Sequence, residues 1–138
     1  MSHLVQISEA SSLALHSMAF FAHHKGQYIS VTRLAELTGA SGNHLSKVLQ
    51  RLSKAGLIEG IRGPAGGYRL LQSSNSVTLL DVYEAIEGPT EGGPCPCNRG
   101  YCAFKSCMFD GIFAKASSLI HDYFQGKTLE TYSQEILK

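Results

Sequence analysis

The chain of 138 residues is long enough for about one compact domain with one appended element. With 43% hydrophobic and 17% charged residues it has the composition of a globular protein, and no apolar run reaches the roughly 18 residues that a membrane span needs. The first residues lack the charged start, apolar stretch and small-residue cleavage site of a secretory signal. A cytoplasmic protein without membrane association is therefore expected.

The charge is distributed unevenly along the chain. Residues 25–72 contain seven basic and two acidic side chains, whereas the remainder contains five basic and nine acidic ones. A basic stretch of this kind is typical of a surface that binds a polyanion.

The first half of the chain has the periodicity of three helices. Apolar residues recur at helical spacing from Ile7 to His24, with Ser8 as a candidate N-cap. A short helix is predicted near Val31–Thr38, and a tight glycine turn follows it. Ser41 precedes a longer helix that ends before Gly56, and its apolar stripe consists of Leu45, Val48, Leu49 and Leu52.

After these helices the pattern changes to short strands. Leu57–Arg62 and Gly67–Leu71 are strand-like runs joined by a glycine- and proline-containing turn, which predicts a hairpin. A further short helix is predicted over Leu79–Glu87. Short helix, turn, longer helix and hairpin in this order predict a winged helix-turn-helix, mostly α with a small β-hairpin wing.

In this fold the second helix of the motif reads the major groove, and the wing touches the neighbouring DNA. The candidate DNA-binding residues are Ser41, Asn43, His44, Lys47, Arg51 and Arg62. Asn43 and His44 are short enough to reach base edges, and Arg62 suits a narrow minor groove. Lys47 and Arg51 suit phosphate or guanine, and Ser41 starts a helix whose free N–H groups suit a phosphate. The alternative is a helix-turn-helix surface that binds a protein, with the basic residues merely solvated.

Four cysteines lie close together in an aperiodic segment. Residues 88–107 contain Cys95, Cys97, Cys102 and Cys107, together with three of the four prolines and four glycines. Because disulfides are rare in the cytosol, such a local group indicates metal ligands or redox-active thiols. An iron–sulfur cluster, zinc and thiol oxidation all remain open, although structural zinc sites usually use two separated cysteine pairs.

A long apolar stripe follows the cysteines. It runs at helical spacing from Phe109 to Phe124, Gly126 ends it, and Thr128 is a candidate cap for a last short helix to Ile136. The preceding helices already supply a core, so a second copy of the chain is the better partner for this stripe. A homodimer predicts two recognition helices about one DNA turn apart and a roughly palindromic double-stranded operator.

Two motifs carry a resemblance to a known family. The stretches are Ala40-Ser41-Gly42-Asn43-His44-Leu45-Ser46-Lys47 and Gly60-Ile61-Arg62-Gly63-Pro64-Ala65-Gly66-Gly67-Tyr68-Arg69-Leu70. They resemble the IscR/NsrR-type bacterial transcription regulators, which include the iron–sulfur assembly regulator and the nitric-oxide-sensitive repressor. The resemblance covers nearly the whole chain. It implies a winged-helix head in residues 1–87, a cysteine-rich sensor loop in 88–107 and a dimerisation helix with a tail in 108–138.

The resemblance also implies a function. It points to a homodimeric repressor or activator that senses iron–sulfur status, nitric oxide or redox state through a cysteine-bound 2Fe-2S or 4Fe-4S cluster. The family's three cysteine positions map onto Cys97, Cys102 and Cys107, with spacing tighter by one residue, and Cys95 is an alternative first ligand. Some members have an aspartate ligand where this chain has Ser12, and others have a histidine where it has Asp110.

Not every member of this family binds a cluster. Cluster-free members work through protein partners or thiol oxidation, so a cluster-free regulator using thiol oxidation, zinc or a protein partner is the alternative. No arrangement of catalytic side chains stands out in the sequence, and enzyme activity is not expected.

Overall fold

The computed structural model describes residues 3–90, 95–97 and 100–136, so part of the predicted sensor loop (91–94 and 98–99) lies outside the described residues. The elements are α1 (Glu9–His23), α2 (Val31–Thr38), α3 (Gly42–Lys54), β1 (Ile58–Ile61), β2 (Gly67–Leu70), α4 (Leu79–Glu87), α5 (Ile112–Gln125) and a 3-10 turn (Leu129–Tyr132). This order confirms the predicted winged helix-turn-helix. Within the described ranges, no helix combines the length and apolar character needed to cross a bilayer.

Serine caps define where the first three helices begin. The hydroxyls of Ser8, Ser30 and Ser41 each accept a hydrogen bond from the backbone N–H three residues further on, at 3.0, 3.1 and 3.2 Å. Each of these hydrogen bonds satisfies an N–H group that has no partner within its helix. Because Ser8 is extended, α1 begins at Glu9 rather than at the predicted Ile7.

The core lies between α1, α3 and α4, with α2 and the hairpin at its edge. Its fully buried members come from the apolar stripes that the sequence shows, among them Met18, Phe21, Leu34, Leu45, Val48, Leu49, Leu52 and Val82. Burial of these side chains is the main stabilising contribution to the fold.

The wing is an antiparallel hairpin that is also paired to the rest of the molecule. Ile61 lies opposite Gly67 in the register, and the chain before α2 adds a bridge between Ile29 and Tyr68. A Cβ atom at Gly67 would lie 2.2 Å from the carbonyl oxygen of Ile29, so this position requires glycine. Tyr68 packs against the core under the hairpin.

Residues 88–126, called the arm below, contrast with the rest of the chain, because none of their described side chains is buried. Helix α5 lies in the arm and contacts α4 through the edge-to-face pair Tyr83–Phe124, with ring centroids 5.7 Å apart. It begins at Ile112 rather than at Phe109, because Asp110 (φ 47°) and Gly111 (φ 76°) turn the chain just before it.

After the arm the chain returns to the winged-helix head. The N–H of Leu79 donates to the carbonyl of Lys127 at 2.9 Å, and the N–H of Leu129 donates to Val77 at 3.0 Å. Leu129 is fully buried in the core of the head.

The predicted last helix to Ile136 is wrong, because only one 3-10 turn forms, over Leu129–Tyr132. Thr128 sits at its N-cap without a side-chain hydrogen bond. The stretch is instead fixed by backbone hydrogen bonds to the segment before α4 and by the burial of Leu129.

Candidate nucleic-acid interface and cysteine segment

Helix α3 has one apolar side and one polar side. Leu45, Val48, Leu49 and Leu52 are buried, whereas Ser41, Asn43, Lys47 and Gln50 are exposed. A helix anchored in this way holds its polar face rigidly, as a recognition helix requires. The start of α3 thus presents exposed polar side chains on a helix whose other side is buried.

Two of the predicted contact residues at this helix start also interact within the protein. The Ser41 hydroxyl accepts the His44 N–H as the helix cap, which leaves its own O–H able to donate outward. The His44 ring is about one third exposed, and its Nδ1 lies 3.9 Å from Oε1 of Glu9 in the first turn of α1.

The wing lies beside the last turn of α3 and carries Arg62 exposed at its turn. An open groove of about 340 Å³ runs between the wing and the helices, and it is lined by Val31 of α2, Ser53 of α3 and the glycine-rich turn. Small residues at the turn permit close approach to a duplex, so the wing and α3 offer two neighbouring contact surfaces.

A second wing arginine has a structural role that sequence reasoning missed. Arg69 lies opposite Glu59 in the hairpin register, and its Nε donates to the Glu59 carboxylate at 2.8 Å. Its guanidinium also stacks over Tyr28, 4.5 Å from the ring centroid. The hydrogen bond to Glu59 is the main reason that the pKa of Arg69 is raised above its usual value. The hairpin register alone would have revealed the Glu59–Arg69 pair.

Arg51 also has an intramolecular partner. Its guanidinium donates a hydrogen bond to the backbone carbonyl of Ile86, in the last turn of α4. The structure thus places Ser41, Asn43, His44 and Lys47 along the first part of α3. Arg62 lies on the wing, which adjoins the last turn of α3 at Ser53, and Arg51 donates to another helix. The assignment of these residues to DNA stays a prediction.

The cysteine segment is irregular throughout its described part. The thiols of Cys97, Cys102 and Cys107 are exposed and form no disulfide, and Cys95 is half-buried. No three His, Cys, Asp or Glu side chains of residues 3–90, 95–97 and 100–136 are close enough together to hold a metal ion. Asp110 is exposed, and its backbone N–H donates a hydrogen bond to the carbonyl of Cys107 at 3.2 Å.

The donor set nevertheless fits an iron–sulfur cluster in its chemistry. Soft thiolates are the usual ligands of such clusters, and exposed thiols in a segment without regular structure are accessible to an incoming cluster. Binding would have to draw the thiols together, since the described geometry does not do so. Ser12 of α1 offers only a hydroxyl, which lies 3.4 Å from Nδ1 of His16.

Comparison with known proteins gives consistent results. The family model Rrf2, described as an iron-dependent transcriptional regulator, matches residues 7–135. The transcriptional regulator IscR of Vibrio campbellii is 28% identical over 127 residues, which is 91% of this chain and 75% of that protein. The chain spans 65% and 53% of the length of two other curated relatives, from Azotobacter vinelandii and Rhodopseudomonas palustris.

Two solved structures share the fold. CymR, the global cysteine regulator of B. subtilis, superimposes with a TM-score of 0.79 at 22% identity, covering 96% of this chain and 98% of that one. IscR of T. potens superimposes with a TM-score of 0.75 at 22% identity, covering 96% and 89%. The relatives are transcription regulators, in agreement with the prediction that this chain is not an enzyme.

Proposed function

Because the chain belongs to the Rrf2 family of DNA-binding transcription regulators, we propose that it is a homodimeric regulator that reads a roughly palindromic operator and responds to a signal through its cysteine segment. The proposal of DNA binding rests on the structure of the start of α3. Its polar side chains are exposed on a helix whose opposite side is fully buried, next to a wing that presents Arg62. Such a regulator acts on DNA in the cytoplasm.

The proposed DNA contacts divide by chemistry. Asn43 and His44 suit base edges in the major groove, whereas Lys47 and the helix start at Ser41 suit phosphates. Arg62 on the wing suits the minor groove, where a narrow A·T-rich stretch attracts a guanidinium.

The proposed dimer rests on the uncovered apolar side of α5. Ile112, Phe113, Leu119, Ile120 and Tyr123 are all exposed, Leu119 to 74%. A monomer gains nothing from an exposed apolar stripe at helical spacing, whereas an antiparallel or crossed second copy of α5 would bury it. Two-fold symmetry would then place the two α3 helices against successive major grooves.

The proposed sensor is the group of four cysteines. The iron-dependent description of the family and the presence of IscR among the relatives support an iron–sulfur cluster held by Cys97, Cys102 and Cys107, with Cys95 as an alternative first ligand. Such a cluster supplies one-electron chemistry and reactivity toward oxidants and nitric oxide. The chain itself would supply thiolates, and either the Asp110 carboxylate or an external group would supply the remaining position.

Thiol oxidation without a cluster is the second candidate. The exposure of Cys97, Cys102 and Cys107 favours it, because exposed thiols in a segment without regular structure can approach one another and pair. The comparison with CymR, named for cysteine regulation, is compatible with either form of thiol chemistry.

Selection from a random double-stranded DNA library tests the regulatory function. We expect full-length protein to enrich one roughly palindromic sequence, and R62A to weaken binding to it while lowering the salt dependence of the affinity. Failure to enrich any sequence would contradict DNA-binding regulation through this surface.

The sensor is tested on protein purified without air. Visible absorption from thiolate-to-iron charge transfer, with matching iron and acid-labile sulfide, is expected from wild type and not from a C102A/C107A variant. A colourless wild type that also fails reconstitution would rule out the cluster and leave thiol oxidation, which mass mapping of disulfides after mild oxidation would then detect.

A further inference from the structure

Helix α4 ends at a point where three other parts of the chain meet. The carbonyl of Ile86 is among the last of the helix, where carbonyls lack a partner within the helix. Arg51 of α3 donates to this carbonyl from its guanidinium. A cation at a helix C-terminus also interacts favourably with the helix dipole. Arg51 therefore joins the last turn of α3 to the end of α4.

The next residue, Glu87, ties the same point to α1. Its Oε1 accepts hydrogen bonds from the hydroxyls of Ser8 and Ser11, at 2.5 and 2.7 Å, and Ser8 is the residue that caps α1. These two hydrogen bonds, followed by the positive charge of Arg51, keep the pKa of Glu87 below its usual 4.5. Glu87 is thus ionised at neutral pH and compensates the charge of Arg51.

The start of the arm is held at this point as well. The N–H of Gly88 donates to the carbonyl of Glu84 at 2.9 Å, and the N–H of Thr90 donates to the Glu84 carboxylate at 3.0 Å. The chain that leads to the cysteines is therefore fixed to α4 up to Thr90.

We propose that Arg51 and Glu87, with Ile86, Ser8 and Ser11, form a junction that sets the orientation of α3 against α4 and the start of the arm. In this role Arg51 affects DNA binding as a positioning residue and not as a phosphate contact. The inference rests on the proposed function, because it concerns how the recognition helix is held. The junction also connects the arm physically to the recognition helix, since movement at residues 88–90 acts on the end of α4, to which Arg51 is hydrogen-bonded.

The DNA part of the test compares R51M with K54M. Both variants remove one positive charge from the last turn of α3 and keep an unbranched side chain. They differ in that Arg51 donates to Ile86, whereas Lys54 is an exposed residue three positions further on. For R51M we expect operator affinity to fall about tenfold, because the orientation of base-reading side chains is lost. The affinity for unrelated DNA should be unchanged, and so should the salt slope, which is the slope of the logarithm of affinity against the logarithm of salt concentration. K54M should stay within about twofold of wild type.

Other outcomes would overturn the junction. A phosphate contact at Arg51 would lower operator and unrelated-DNA affinity together and reduce the salt slope by about 0.9. Partial unfolding would lower both affinities without changing the slope. E87Q provides an independent check, because it leaves every positive charge of α3 in place and should nevertheless reduce operator affinity selectively.

Amide hydrogen exchange tests the junction without DNA. In R51M we expect the amides of Gly88 and Thr90 to exchange about tenfold faster than in wild type, whereas K54M leaves them unchanged. Unchanged exchange in R51M would overturn the junction even if the protein binds DNA. If wild type enriches no operator, the proposed function fails, and the exchange measurement still decides whether the junction exists.

Discussion

The head and the arm use their apolar residues in opposite ways. In the head, the stripes of α1, α3 and α4 face one another and leave Phe21, Leu45 and Leu49 with almost no exposed surface. In the arm, α5 has a comparable stripe, yet Leu119 is 74% exposed and no described side chain is buried. The same sequence pattern therefore forms an internal core in one region and an exposed apolar surface in the other.

The largest expected effect on stability lies in the head. L49A removes a fully buried side chain at the centre of α3 and should lower the free energy of unfolding by about 3 kcal/mol, measured by urea denaturation. The matched control is L71A, at a side chain that is 53% exposed, which should change it by less than about 0.5 kcal/mol. Equal losses in both variants would contradict the described core.

In the arm, the expected effect is on assembly. L119K places a charge in the exposed stripe of α5 and should convert the proposed dimer to a monomer in sedimentation analysis. Operator affinity should then fall by about 100-fold or more, because two linked recognition helices bind far more tightly than one. S118K adds the same charge off the stripe and should remain dimeric. A dimeric L119K would place the interface elsewhere.

A smaller effect is expected where the chain returns from the arm to the head. Glu130 accepts hydrogen bonds from the Ser74 hydroxyl and from Lys25 at 3.2 Å, and these, Ser74 first, lower its pKa from the usual 4.5. Its stabilising contribution is therefore complete above pH 4.5 and is lost as the pH falls through the lower pKa of the folded state.

E130Q should accordingly be less stable than wild type at pH 7 and equal to it in strong acid, as followed by thermal unfolding across pH. E135Q, on an exposed neighbour in the same tail, should follow the wild-type profile. Parallel profiles for E130Q and wild type would show that the carboxylate does not hold the tail.

The smallest effect on stability is expected from the cysteines. Replacing Cys97, Cys102 and Cys107 by serine changes only exposed side chains, so the free energy of unfolding of the isolated protein should stay within about 0.5 kcal/mol of wild type. The response of operator binding to oxidant or nitric oxide should be lost. A retained response would place the sensor outside these three thiols.

Most of the head follows from local rules that the sequence displays. Serine caps at Ser8, Ser30 and Ser41 and the four leucine and valine positions of α3 locate the helices almost to the residue. The glycine-rich turn likewise locates the hairpin, because its chemistry is local.

Contacts between residues far apart in the sequence were not predictable in the same way. The bond from Arg51 to Ile86 spans 35 residues, and nothing in either local stretch indicates it. The exposed position of Arg51 on α3 looks like that of Lys47, and only the packing of α4 against α3 gives it a partner. For the cysteines, spacing indicates the chemistry of the ligands but not which of them come together.

The pairing of Val77 with Leu129 determines when the core of the head can be completed during synthesis. Leu129 is the last member of the head's core along the chain, and it follows the whole arm. During synthesis the helices of the head emerge first, but the place of Leu129 beside α1 and α4 stays empty until the whole arm and Leu129 itself have left the ribosome. The nascent head therefore keeps part of its apolar interior uncovered until Leu129 has been synthesised, by which time the whole of α5 has also emerged.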